Sequence, residues 1–141
     1  MFMSKSKQPG GHIKHEEEPG RFAYDGLSRI LHEKSRLSIM TCLMTQPQGL
    51  LFNQLKKLCA MTDGNLNRHL DALYKAGYLE VWKKQESVRS QTLFRVTTAG
   101  KKGFLAYLQE LEKVVHDALP TKQSPVTSGT IPGWQLGWTT T

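Results

Sequence analysis

The apolar positions between residues 24 and 119 fall into alternating helical and strand rhythms. Tyr24 to Leu31 reads as a short amphipathic helical stretch, with Leu27, Ile30 and Leu31 apolar. Ser35 to Thr45 carries Leu37, Ile39, Met40, Cys42, Leu43 and Met44 around its circumference, which predicts a helix at the centre of the domain. Gln46-Pro47-Gln48-Gly49 breaks it, and Leu50-Leu51-Phe52 reads as a very short extended piece. Asn53 is then the expected cap of a helix over 53–60 that turns Leu55 and Leu58 to the core.

After the turn at Met61-Thr62, Thr62 is the expected N-cap of a helix from Asp63 to Ala76. Its capping box is incomplete, because the third helical position is Asn65 rather than Glu or Gln. Asp63 suits the positive end of the helix dipole, and Leu66, Leu70 and Leu73 make one apolar stripe. Gly77 suits the left-handed residue that closes such a helix. Leu79 to Gln85 alternates as a strand, Glu86 to Gln91 is a polar connector, and Thr92 to Thr97 is the returning strand. Thr98 is expected to cap a long final helix that Pro120 stops after Leu119. Its Phe104, Leu108, Leu111, Val115 and Ala118 follow heptad spacing over about two heptads. These elements predict an α+β fold, mostly α, in which two short helices joined by a tight turn precede a two-stranded hairpin and a long helix.

Composition separates this domain, expected over 22–119, from its ends. Residues 1–21 are Lys-, Ser-, Gly- and Glu-rich without periodicity and read as a disordered tail. Of residues 120–141, 14 are Pro, Thr, Ser or Gly, so a flexible tail is expected there too, with Trp134 and Trp138 as its only large apolar groups beyond Ile131 and Leu136. The 141-residue chain has 19 Lys and Arg against 12 Asp and Glu. Fifteen of those bases and nine of those acids lie between residues 21 and 119, so the positive excess belongs to the part that folds. A basic domain attracts polyanions, of which nucleic acid is the usual one, the alternative being that the charge serves solubility alone. No run approaches the roughly 20 apolar residues of a membrane span, and the first residues lack a signal-peptide core. A cytoplasmic protein without membrane contact is therefore expected.

Helical geometry sorts the residues of 63–76 at 100° per residue. With the leucine stripe inward, Gly64, Asn65, Asn67, Arg68, Asp71 and Lys75 point outward, beside Thr62 and Asp63 at the helix start. Arg pairs well with guanine and Asn with adenine, and one helix fits a major groove of about 12 Å. Lys56, Lys57, Lys83, Lys84 and Arg89 are candidates for phosphate, contacts that position a protein without reading sequence. His69 falls at the core edge, where packing is the expected role.

Five separated segments resemble, in order, the winged helix-turn-helix transcriptional regulators of the MarR/ArsR-like group. They are His32-Glu33-Lys34-Ser35-Arg36-Leu37; Leu55 to Leu58; Thr62-Asp63-Gly64-Asn65-Leu66-Asn67-Arg68-His69-Leu70; Ala76-Gly77-Tyr78-Leu79-Glu80-Val81; and Phe94-Arg95-Val96-Thr97-Thr98-Ala99-Gly100-Lys101. The resemblance covers roughly 24–118 and is, more narrowly, to the small single-domain winged-helix members of the group. It implies a winged helix-turn-helix with a wing hairpin and a C-terminal dimerisation helix, binding double-stranded DNA as a homodimer through Phe104, Leu108, Leu111 and Val115. The connector Glu86-Ser87-Val88-Arg89-Ser90-Gln91 carries one Arg, fewer than the Arg- and Gly-rich wings usual in the family.

Other chemistry has little to rest on. His12 and His15 make an H-x-x-H in the N-terminal tail, and Cys42 and Cys59 lack metal-site spacing, so neither a metal nor a cofactor is expected. Small buried cysteines are the ordinary reading of both thiols. No phosphate-cradling glycine loop or nucleophile motif occurs, so no enzyme activity is expected. The rival to a DNA-binding regulator is a winged-helix module for protein–protein contact. The sequence leaves open the operator, the sign of regulation and any small-molecule effector.

Overall fold

The computed structural model describes residues 18–86, 89–120, 129, 131–135 and 137. Among these residues four helices and three strands follow in the order α1 (Lys34–Met44), β1 (Leu50–Leu51), α2 (Phe52–Cys59), α3 (Asp63–Lys75), β2 (Leu79–Glu86), β3 (Arg89–Val96) and α4 (Thr98–Ala118). The sheet is antiparallel with strand order β1-β3-β2, its register set by Leu50 opposite Phe94 and Leu79 opposite Val96.

The core gathers one apolar face from every element. Ile39, Met40 and Leu43 of α1 sit among Leu55, Leu66, Leu73, Leu79, Phe94 and Phe104. Each such side chain contributes about 1.5–3 kcal/mol when fully withdrawn from water. α3 ends as its glycine predicts. Gly77 has φ +85°, the Tyr78 N–H reaches the Leu73 carbonyl at 3.0 Å, and the Gly77 N–H reaches that of Tyr74 at 2.9 Å. These two bonds close the helix and turn the chain straight into β2. A second glycine is demanded by packing: a Cβ at Gly100 would stand 2.3 Å from the Tyr78 carbonyl oxygen, so α4 begins pressed against the start of β2.

Several expectations need correction. Residues 24–31 form turns rather than a helix. Tyr24 takes φ 49°, and the Gly26 N–H is spent on Glu110 of α4 at 3.2 Å. Arg21 donates two hydrogen bonds to Asp117, at 3.0 and 3.1 Å, and the Tyr24 hydroxyl donates a third at 2.6 Å. Arg21, expected as the last tail residue, is thus already tied to α4, and Leu27, Ile30 and Leu31 still pack on the core from a non-helical backbone. Phe52 opens α2 instead of extending β1, so Asn53 is not its cap. The Gln54 side chain accepts from the Leu51 N–H at 2.8 Å instead. That phase turns Phe52, Leu55 and Cys59 inward and leaves Leu58 64% exposed. Thr97, not Thr98, caps α4, its hydroxyl accepting from the Gly100 N–H at 2.9 Å.

The polar connector is also shorter than composition suggested. Pairing continues to Glu86 opposite Arg89, because backbone bonds close a hairpin whatever side chains its outer rungs carry. The C-terminal tail is described only in part. Trp134 is 75% exposed, and Trp138 lies outside the described residues, as do His12 and His15.

Candidate nucleic-acid interface

The pairing of α2 and α3 depends on the three residues between them, Ala60, Met61 and Thr62. Ala60 takes a left-handed φ of 53° at the end of α2, and Thr62 starts α3 with its hydroxyl accepting from the Asn65 N–H at 3.2 Å. Leu66, His69, Leu70 and Leu73 then face inward. Thr62, Asp63, Gly64, Asn65, Asn67, Arg68, Asp71 and Lys75 are all exposed on the opposite side, as the helical angles require.

Those outward groups are organised among themselves. Arg68 donates to the Asn65 side-chain oxygen at 3.2 Å. Lys56 of α2 meets Asp63 at 2.8 Å, and Lys75 meets Asp71 one turn earlier at 2.9 Å. Both ion pairs are solvent-exposed, so each contributes little to stability. Their effect is on the field of the surface: two carboxylates within a basic face are matched by two ammonium groups. A glycine in the first turn of an exposed helix costs up to about 1 kcal/mol relative to alanine. Gly64 incurs that cost with no neighbouring atom within 4 Å of where its Cβ would stand, so the fold itself makes no use of it.

The hairpin adds Lys83 beside α3, while Lys84 shares the other face of β2 with Trp82. Lys57, Lys83 and Lys84 are exposed, whereas the Arg89 side chain lies outside the described residues. Lys83 lines a cleft of about 350 Å³ between α3 and the hairpin, with Asn67, Asp71, Tyr74 and Thr92 around an apolar floor. Tyr74 is an exposed aromatic on this rim that helical angles from Asn67, seven residues earlier, could have singled out. On the opposite face of the sheet, exposed Trp82 lies under the Arg95 guanidinium, 5.3 Å from ring centroid to carbon, and Arg95 is held by Glu80 at 2.8 Å.

The residues singled out on α4 divide between two faces. Phe104 is 2% exposed and belongs to the chain's own core, against which Leu111 also packs. Leu108 and Val115 stand outward and are joined by Leu105 and by Leu119, 62% exposed, just beyond the helix. The heptad spacing had bridged both faces, since steps of three and four drift around a helix of 3.6 residues per turn. Leu105 and Leu119 were missed, although they lie three before Leu108 and four after Val115.

Among the described residues, no cluster of His, Cys, Asp and Glu could hold a metal. No described helix is long and apolar enough to cross a membrane. Cys42 and Cys59 are half-buried free thiols, and burial together with the neighbouring Cys42 pushes the Cys59 thiol up to about 11. It stays protonated at neutral pH, which makes it a poor nucleophile.

A family model described as a winged helix DNA-binding domain matches residues 35–115. An uncharacterized protein of Methanocaldococcus jannaschii is 37% identical over 60 residues, which cover 43% of this chain and 65% of that relative. The structure of a transcriptional regulator homologue from Pyrococcus horikoshii OT3 superposes with a TM-score of 0.59 and 29% identity, covering 64% of this chain and 88% of that one. The S. aureus MepR-DNA complex superposes with a TM-score of 0.56 at 17% identity, covering 72% and 82%, a likeness of fold. A MarR family transcription regulator shares the fold at a TM-score of 0.53 and 23% identity.

Proposed function

Because this chain belongs to the winged helix DNA-binding domain family, we propose that it is a homodimeric transcriptional regulator that reads duplex DNA with α3. The observation that carries this reading is the outward face of α3, where seven polar residues and Gly64 stand free of the core while every leucine of the helix is buried. Arg68 and Asn65 are the proposed base contacts, with Asn67 and Asp71 beside them. Lys56, Lys57, Lys83, Lys84 and Arg89 are proposed to meet phosphates. A carboxylate such as Asp71 suits the amino group of cytosine, and Gly64 leaves room for the DNA to approach the backbone.

Pairing is proposed to use the outward stripe of α4, with Leu108 and Val115 joined by Leu105 and Leu119. Exposed apolar side chains in one contiguous stripe suit a self-complementary contact about a two-fold axis. Such a dimer would present two copies of α3 to half-sites about one helical turn apart.

Binding of the full chain to duplex DNA, measured across salt concentrations, tests the reading. Affinity should fall steeply with salt as condensed counterions are released, and competition among a random DNA pool should enrich one sequence. Absence of any shift at about 50 mM salt, where phosphate contacts act strongly, would leave the protein–protein module as the better account.

A further inference from the structure

We propose that Glu33, Arg36 and His69 form an anchor that sets the reading helix on the core, and that protonation of His69 releases it and weakens DNA binding. The inference rests on the DNA-binding reading and extends it to regulation of the same helix.

His69 is 4% exposed and is the residue next to Arg68, the proposed base contact. The Arg36 side chain of α1 reaches it with Nη1 3.1 Å from His69 Nδ1. The same guanidinium is fixed from behind, because its Nε donates to the Ile30 carbonyl at 2.6 Å. A guanidinium only donates, so Nδ1 accepts and the ring is neutral with its proton on Nε2. Glu33 completes the group. It precedes α1, and its Oε1 accepts from the Arg36 N–H at 2.8 Å while standing 3.8 Å from His69 Nδ1.

A proton on Nδ1 turns that acceptor into a donor. The contact with Arg36 then becomes donor against donor and cation against cation, and the acceptor within reach is Glu33. The ring must exchange one partner for the other, and its backbone is continuous with that of Arg68. A change in the seat of His69 therefore reaches the outward face of α3 through covalent geometry, with no longer route required.

The charged groups bearing on the ring come from α1, from Glu33 just before it and from α3. Burial opposes its protonation most, Arg68 and Arg36 add like charge, and Glu33 works the other way, leaving the His69 pKa below its ordinary 6.5. Burial also opposes ionisation of Glu33, but the N–H groups of Arg36 and Ser35 and the charge of Arg36, joined by that of His69 once it is protonated, hold that carboxyl below its ordinary range. β2, which also packs on α3, sends Glu80 to Arg95 and Lys83 to the cleft, and Lys56 of α2 is spent on Asp63 at the helix start. Since the folded pKa lies below the unfolded value, the unfolded chain takes the proton first as pH falls through 6.5. Stability is lost over that window, down to the folded pKa.

The test compares the full chain with His69→Gln, which keeps an acceptor for Arg36 and does not titrate. Affinity for duplex DNA selected from a random pool is measured at steps from about pH 7.5 to about pH 5.5, and melting temperature is measured over the same steps without DNA. Wild-type affinity should fall at least about fivefold more than that of His69→Gln, a coupling of ordinary size. Its melting temperature should fall further as well. His32 and His116 are present in both chains and cancel from the difference. Parallel binding profiles overturn the proposal, even where the melting curves diverge. Failure of the wild type to bind DNA at any pH overturns the DNA-binding reading, and this one with it. NMR of the wild-type ring needs no variant: the Nε2–H tautomer is expected at about pH 7.5, and the Nδ1–H tautomer would overturn the anchor.

Discussion

α3 buries Leu66, Leu70 and Leu73, every leucine it has, whereas α4 buries Phe104 and Tyr107 yet keeps Leu105, Leu108 and Val115 on its surface, with Leu119 just beyond. The two helices are of similar amphipathic design on the side that meets the core. They differ in what remains after the core is satisfied. α3 is left with hydroxyl, amide, guanidinium and carboxylate groups, which are already solvated and gain only from a partner of matching hydrogen-bond pattern. α4 is left with apolar area, which gains from any surface that removes it from water, at about 25 cal/mol for each Å² covered. One helix is therefore suited to discriminating among polar partners and the other to holding a second copy. On the proposed function, base recognition falls to the polar face of α3 and pairing to the apolar stripe of α4.

The strongest way to break this contrast is to attack the inner face of α4. Phe104→Ala should cost about 3–5 kcal/mol of folding stability, read as a large fall in melting temperature, because it empties a site in the core. A loss near that of a surface substitution would show that α4 is held mainly by its outer contacts. One turn further along, Leu108→Glu should keep the helical circular dichroism and yield monomer in light scattering, since an unpaired charge in an apolar seam is costly. An unchanged mass would assign the outer stripe to some partner other than a second copy.

Arg68→Ala sharpens the comparison from the other side. It should weaken DNA binding by about 1–3 kcal/mol and relax the preference for one base, with melting unchanged. Equal affinity for all sequences before and after the change would remove Arg68 from the reading face. The smallest expected effect is the most discriminating. Gly64→Ala should raise folding stability by about 0.4–1 kcal/mol, since the space there is open and alanine has less unfolded-state entropy to lose. It should nevertheless weaken DNA binding, because a methyl group would stand where the DNA backbone or a base edge has to come close. Stability and binding rising together would show that Gly64 makes no such approach.

The acid response belongs to the same comparison. The proposed reading face stands over one buried titratable ring, His69, while the cluster that ties the N-terminal segment to α4 is built differently. There the Arg21 guanidinium and the Tyr24 hydroxyl hold the Asp117 carboxyl down at about 2. That clamp keeps its charge to far lower pH than any histidine.

The leucine stripe of α3, its cap at Thr62, its stop at Gly77 and the outward side of Asn65, Arg68 and Asp71 were legible from the chain. Each depends on helical geometry and on residues a few positions apart, which local sequence specifies. The order of elements and the winged-helix likeness were legible for the same reason, because alternating rhythms of period two and 3.6 survive without knowledge of what they pack against. The tertiary structure alone decided which helical phase α2 adopts, leaving Leu58 in water, and which half of the α4 heptad serves the chain's own core. It also decided that Tyr24 to Leu31 is clamped by Asp117 and Glu110 rather than coiled into a helix, and that His69 meets Arg36 and Glu33, more than thirty positions away. Periodicity says that a face is apolar and that a residue sits near its edge. Which neighbour covers that face, and whether any area is left over, depends on how distant elements share one finite core.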